Sequence, residues 1–236
     1  MSEQEKYFDF DSDISKEYEK GIRITNPTYD QLFTMSHAFL RSALGEKANL
    51  LIVGAGGGME LVTFGMPNPQ WSMTGIDPSE QMLEYARRKL EQNDLTERVK
   101  LVRGVVDDLP SDLHYDGATC ILVLHFLPDD GSKLKLLESI ADRLSSKAPL
   151  ILASLVGEVN SPQFEQYFHA WETYLLSLHH PKTEQIIHNL KQLRTATHFV
   201  PEERIVELLD QAGFENISRF YTTWLFGGWV AVRKDC

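Results

Sequence analysis

The chain has 236 residues, 42% of them hydrophobic and 24% charged, the balance of an ordinary globular protein. Its formal net charge of -11 repels polyphosphate and argues against nucleic acid as a partner. No apolar run approaches the length of a membrane span, and the acidic start, Met1 to Asp13, lacks the apolar core of a secretory signal, so a cytoplasmic protein is expected.

Residues 1–46 read as a helical extension ahead of an α/β domain over 47–236. A helix is expected over 28–44: Asn26-Pro27-Thr28 marks its start, and Leu32, Met35, Phe39 and Leu40 share a face. Strands at 48–53, 72–76, 99–103, 117–124 and 149–155 then alternate with helices at 58–65, 79–92 and 131–145. That alternation implies a mostly parallel sheet covered by helices on both faces. Arg87-Arg88-Lys89 in the second of these helices reads as a solvated face. Residues 161–197 change character, with Phe164, Phe168, Trp171, Tyr174 and Leu178 at helical spacing, and predict two inserted helices. A further helix over 201–212 stops at Gly213, and 215–233 reads as two strands joined around 222–225, closing the sheet with an antiparallel pair. Cys120 and Cys236 form no disulfide framework, and His179, His180 and His188 complete no recognisable ligand set, so no metal is expected.

The densest signal is Leu50-Leu51-Ile52-Val53-Gly54-Ala55-Gly56-Gly57-Gly58-Met59. A buried strand breaks into glycines, which let the backbone turn sharply and approach a ligand at the strand's carboxyl end. A dinucleotide fingerprint requires G-x-G-x-x-G/A, and Met59 occupies its third position, which speaks against a nicotinamide oxidoreductase. Asp77, at the end of the second strand, can accept from both hydroxyls of a ribose, because an ionised carboxylate has only acceptor sites. It can equally cap the following helix, with Pro78 at the first helical position.

The spacing of Gly54, Gly56 and Gly58, with Asp77 and the antiparallel tail, resembles class I S-adenosylmethionine (SAM) methyltransferases over about 48–156 and 200–232. The likeness implies a Rossmann-like, seven-stranded, mostly parallel sheet with an antiparallel last strand and a helical lid. SAM would be held by Gly54, Ala55, Gly56, Gly58, Asp77, Pro78 and Met82. Gly104 to Pro110 looks like the segment flanking the adenine; Val105 stands where many members carry an Asp, leaving Asp107 or Val106 to serve. Cys120 to Leu127 matches the fourth strand and its exit, where the backbone of Ile121 or Leu122 would pass the sulfonium. A longer likeness runs through Phe8-Asp9-Phe10-Asp11, Pro27-x-Tyr29, Leu124 to Leu127, Ala212-Gly213-Phe214 and Phe226-x-Gly228-Trp229-Val230-Ala231. It is similar to the branch containing the bacterial carboxy-SAM synthase of tRNA modification, in which Tyr29 would meet the cofactor's methionine end, or alternatively pack on the core.

Departures from that pattern set further expectations. Ile52 stands where the family usually has Asp or Glu, and Ile121 where the branch has Asn. Asn189-Leu190-Lys191 lacks the branch's carboxylate-reading Arg, with Arg194 one turn onward, so ordinary SAM is expected. Methyl transfer is an in-line displacement served mainly by alignment. His125 is the candidate general base where an acceptor must lose a proton, or else a packed histidine. Phe168, Trp171, Tyr174 and Phe199 either line an acceptor lid or dock the insert. The function expected is methyl transfer to a small molecule. A tRNA-modifying enzyme and a non-catalytic SAM-binding protein are the alternatives, and monomer and homodimer stay equally open.

Overall fold

The computed structural model describes residues 14–235. Phe8, Asp9, Phe10 and Asp11 lie outside them. Two helices, α1 (Ile14–Thr25) and α2 (Tyr29–Ala43), precede β1 (Ala48–Val53), α3 (Met59–Gly65), β2 (Trp71–Asp77), α4 (Glu80–Gln92), β3 (Val99–Arg103) and β4 (Gly117–Ile121). Then come α5 (Ser132–Ala141), β5 (Pro149–Leu155), the inserted pair α6 (Pro162–Ser177) and α7 (Thr183–Ala196), α8 (Glu202–Gln211), and the hairpin β6 (Phe214–Thr223) and β7 (Phe226–Arg233).

The seven strands form one sheet in the order β3-β2-β1-β4-β5-β7-β6. β1 through β5 pair in parallel, and β7 runs antiparallel to both its neighbours. Successive side chains of a strand point to opposite faces. Leu50 and Ile52 of β1 accordingly enter the core shared with α2, α3 and the insert, while Leu51 and Val53 enter the one shared with α5 and α8. With both faces covered, β1 is apolar from Leu50 to Val53 instead of alternating.

Helix boundaries follow local chemistry. Ser79 caps α4, its Oγ accepting from the Met82 amide at 3.1 Å, and Met82, Leu83, Ala86 and Leu90 form the buried stripe. This assigns the cap to Ser79 instead of Asp77. Ser161 caps α6, with Pro162 in its first turn and Phe164, Phe168, Trp171 and Leu175 as its inward face. In α4, Arg87 and Arg88 pair with Glu84 on the exposed face, as a solvated surface would.

β4 is shorter than the 117–124 expected. It ends at Ile121 because Leu122 turns to a φ of 61°, a left-handed conformation that a leucine adopts only under strain. Its amide is still satisfied by Ala153 O at 2.8 Å. Phe39, predicted on the buried face of α2, is partly exposed and lies against Phe220 with ring centroids 4.9 Å apart.

Candidate active site

The strand order reverses between β1 and β4: the chain leaves β1 for β2 on one side and later returns to β4 on the other. Loops at the carboxyl ends of those strands diverge and leave a crevice, the general ligand position of open α/β sheets. A cavity of about 350 Å³ sits there. It is lined by the β1 exit (Val53 to Gly57), the β2 exit (Ile76 to Pro78), the β4 exit (Ile121 to Val123), and Tyr29 and Phe33 of α2.

The glycine loop is held by its own backbone. The amides of Gly54 and Ala55 donate to Ile76 O at 2.9 and 3.0 Å, and the Gly58 amide donates to Ala55 O at 2.9 Å. Asp77 clamps the turn: Oδ2 accepts from the Gly56 amide at 2.8 Å and Oδ1 from the Ser79 amide at 2.9 Å. Asp77 thus organises the loop and itself lines the cavity.

Gly56 and Gly58, both at positive φ, differ in what surrounds them. A Cβ on Gly56 would meet the flexible tip of Met82 at 3.2 Å, and both residues line the cavity. A Cβ on Gly58 would lie 2.9 Å from Cα of Ala86. Gly58 thus lets the start of α3 approach α4 and does not line the cavity.

Tyr29 is placed by a network that joins distant parts of the chain. Tyr221 donates to Asn26 Oδ1 at 2.8 Å, and its hydroxyl lies 2.9 Å from Thr28 Oγ1, which also contacts Thr223. The β6–β7 hairpin thereby fixes the start of α2. The Arg23 guanidinium lies 5.5 Å from the Tyr29 ring centroid.

Of the residues anticipated from sequence, Tyr29, Gly54, Ala55, Gly56, Asp77, Pro78, Met82, Val106 and Ile121 line the cavity together. Gly58, Asp107 and His125 do not. Asp107 turns toward α5, where Oδ1 accepts from Ser139 and Oδ2 pairs with Lys135 at 3.0 Å; these contacts hold its carboxyl below the usual range. Val105 lines the cavity instead, with Val106.

His125 is 3% exposed, and its Nδ1 accepts from the Leu155 amide at 3.3 Å. Burial, with the Lys133 charge nearby, pushes it down to about 3. The ring thus faces the β5 backbone and is not among the residues that line the cavity. Lys133, itself buried, donates to Leu124 O at 2.8 Å and so ties α5 to the segment that follows β4.

The insert's aromatics also fall outside the cavity lining. Phe168 and Trp171 are buried in the core; Trp171 Nε1 donates to Thr25 O at 2.7 Å and its ring lies 5.4 Å from that of Phe226. Tyr174 packs on Trp224 and Phe199 on Phe164. The insert therefore docks on the sheet, and the anticipated lid lining is not formed by these residues. The insert's cations are engaged as well: Lys191 pairs with Glu172 at 2.8 Å, and Arg194 with Glu165.

Sequence reasoning missed Phe33, Met59, Phe126, Leu127 and, above all, Glu60. Glu60 is a buried acid on α3 whose Oε1 accepts from Thr119 at 2.6 Å, and it lines the cavity. Its position just after the glycine loop was the available signal. Among the described lining residues, the charged side chains are Glu60 and Asp77, both acidic, in an otherwise largely apolar wall.

Comparison with known proteins agrees with this geometry. Residues 51–150 match the family model described as a methyltransferase domain. The chain is similar to a carboxy-S-adenosyl-L-methionine synthase of Campylobacter hominis, 30% identical over 37% of this chain and 38% of that protein. It is also similar to a demethylmenaquinone methyltransferase of Listeria monocytogenes, 26% identical over 63% of this chain and 62% of that one. The matched parts thus span less than two thirds of either relative. Among solved structures, a putative O-methyltransferase of Nostoc punctiforme superposes with a TM-score of 0.66 at 15% identity, covering 93% of this chain and 59% of that one. The methyltransferase domain model thus covers residues 51–150, and the seven-stranded sheet built around them has the Rossmann-like fold seen in solved methyltransferase structures.

Proposed function

We propose that the protein binds SAM in the cavity at the β1–β4 switch point and transfers its methyl group to a small-molecule acceptor. The observation that carries this reading is the charge of the cavity wall, whose charged side chains are the acids Glu60 and Asp77. A pyrophosphate-bearing dinucleotide would find no cation among the described lining residues; a nucleoside whose remaining charges include cations finds acidic side chains to pair with. The same wall argues for SAM over carboxy-SAM, because an additional carboxylate would have no cation among the described lining residues to pair with.

The residues fit such a cofactor. Asp77 would take the ribose hydroxyls, Val105 and Val106 would flank the adenine, and Tyr29 would face the methionine end. When bound, SAM supplies an already activated methyl group. The protein's part is to hold and align the reactants and to exclude water, to which the apolar residues Phe33, Phe126 and Leu127 contribute. With His125 enclosed elsewhere, alignment carries the reaction more than an imidazole base does. The acidic cavity and the net charge of -11 favour a small acceptor over tRNA. Among the described residues no helix is long and apolar enough to cross a membrane.

Isothermal titration with SAM, its demethylated product and NAD tests this reading. Binding of the first two, lost on Asp77→Ala, is expected. Binding of NAD alone, or an Asp77→Ala protein with unchanged SAM affinity, overturns it.

A further inference from the structure

Where related domains carry an acid on the first strand, this chain has Ile52, fully buried among apolar neighbours. Ile52 is in register with Thr119 of β4, and registered residues of parallel strands project to the same face. Thr119 Oγ1 donates to Glu60 Oε1 at 2.6 Å. The Glu60 carboxylate thus arrives, from the first turn of α3, on the sheet face that the Ile52 side chain occupies. It is 5% exposed and lines the cavity, and among the described residues its second oxygen, Oε2, has no hydrogen-bond partner and no cation pairs with it.

A carboxylate enclosed with a single neutral donor is poorly stabilised in its charged form. Burial pushes Glu60 up to about 8; the Thr119 hydrogen bond opposes this, and the neighbouring Asp77 charge adds to it. The charged group acting on it is Asp77; Cys120, in the core on the other side of the sheet, has its thiol raised by burial with the Glu60 charge adding to the effect. Neither supplies a positive charge. The cavity therefore contains an acid that lacks a cation, at the place where the family's usual acid is missing.

We propose that Glu60 receives the positive charge of the bound cofactor, doing from α3 what β1 does not do in this chain. The proposal rests on the reading of the cavity as a SAM site. Without cofactor, Glu60 is protonated near neutral pH; as the cationic group enters, the carboxylic acid releases its proton to solvent and the carboxylate pairs with the cation. One proton leaves per cofactor bound, and no bond other than O–H is broken. Glu60 is a positioning residue and a charge filter: it favours ligands bearing a cation over the bare nucleoside.

Calorimetry at pH 6.5, in two buffers of different ionisation enthalpy, tests this on the unaltered protein. At that pH a free α-amino group stays protonated, and the expected release is close to one proton per SAM. Glu60→Gln should abolish the release and weaken SAM on the order of tenfold to a hundredfold, the worth of a hydrogen bond to a charged group. 5′-Deoxy-5′-methylthioadenosine keeps the nucleoside and carries no cation; it should bind both proteins equally and release no proton. SAM binding by the unaltered protein without proton release overturns the role of Glu60 even if the variant fails to fold, and so does an equal loss of both ligands in the variant. Either result leaves the cofactor reading standing. If the unaltered protein binds neither ligand, the cofactor reading fails and the role of Glu60 fails with it.

Discussion

Two glycines of one motif should fail in different ways. Gly58→Ala places a Cβ 2.9 Å from Cα and 3.1 Å from Cβ of Ala86, at a φ of 81°. The left-handed conformation costs a non-glycine residue about 1–2 kcal/mol. The clash is with backbone, so α3 or α4 must shift, at about 1–3 kcal/mol more. A total of about 2–5 kcal/mol is a large share of a typical stability of roughly 5–15 kcal/mol and should lower the melting temperature on the order of 10 °C. Gly56→Ala carries the same kind of strain, at a φ of 48°, but its Cβ meets only the movable end of Met82 at 3.2 Å. Its stability loss should stay near about 1–2 kcal/mol, while SAM affinity falls roughly tenfold to a hundredfold as the cavity wall thickens. Urea denaturation of both variants, followed by calorimetry with SAM, separates the effects. Equal destabilisation by the two substitutions, or a Gly58→Ala protein as stable as the parent, refutes the division of roles.

Other outcomes follow from the buried groups. Glu60 is raised from its ordinary 4.5 to about 8, so the folded state without cofactor holds a proton that the unfolded chain has lost. Its contribution is full below about pH 4.5 and is lost as pH rises through about 8, at up to about 1.4 kcal/mol per pH unit. His125 has the opposite sign: lowered from 6.5 to about 3, it contributes fully above pH 6.5 and its contribution is lost as pH falls toward 3. Between 4.5 and 6.5 the two slopes oppose each other, and between 6.5 and 8 the Glu60 slope stands alone of the pair. Stability measured across 6.5–8 should fall with pH in the parent and flatten in Glu60→Gln; an unchanged slope in the variant contradicts the burial argument. Trp171→Ala should cost about 3–5 kcal/mol in stability, because the ring is fully buried and its indole donates to Thr25 O; a stable variant with altered acceptor preference would restore the lid reading. Tyr221→Phe removes one of the donors to the buried Asn26 Oδ1, which keeps those of Thr28, and should cost about 0.5–1.5 kcal/mol, with weaker SAM binding through Tyr29. Wild-type affinity in that variant would show that the network does not position Tyr29.

Apolar runs and glycine breaks were sufficient to place β1 and β5, because parallel strands buried on both faces leave a near-continuous apolar signature; β2 and the edge strand β3 were legible from the turn residues and helical patterns between them. The glycine spacing and Asp77 were legible for the same local reason: a tight turn and a strand-end acid are properties of a few adjacent residues. The end of β4 was not legible, since a leucine at a φ of 61° contradicts local preference and is imposed by the packing around it. Packing also decided which members of a motif face the cavity. Gly58 faces Ala86, Asp107 faces Ser139 and Lys135, and His125 faces Leu155, although their neighbours in sequence line the cavity.

Sequence alone determined that a glycine loop would close over the end of β1 in an α/β sheet, because backbone freedom and burial are written residue by residue. Only the tertiary structure decided where the charge in that site comes from. Register between β1 and β4 sets Thr119 beside Ile52, Thr119 holds Glu60, and the acid absent from the strand is thereby provided by the helix that follows it. Such a substitution is three-dimensional: it depends on two side chains from different elements meeting on one face of the sheet.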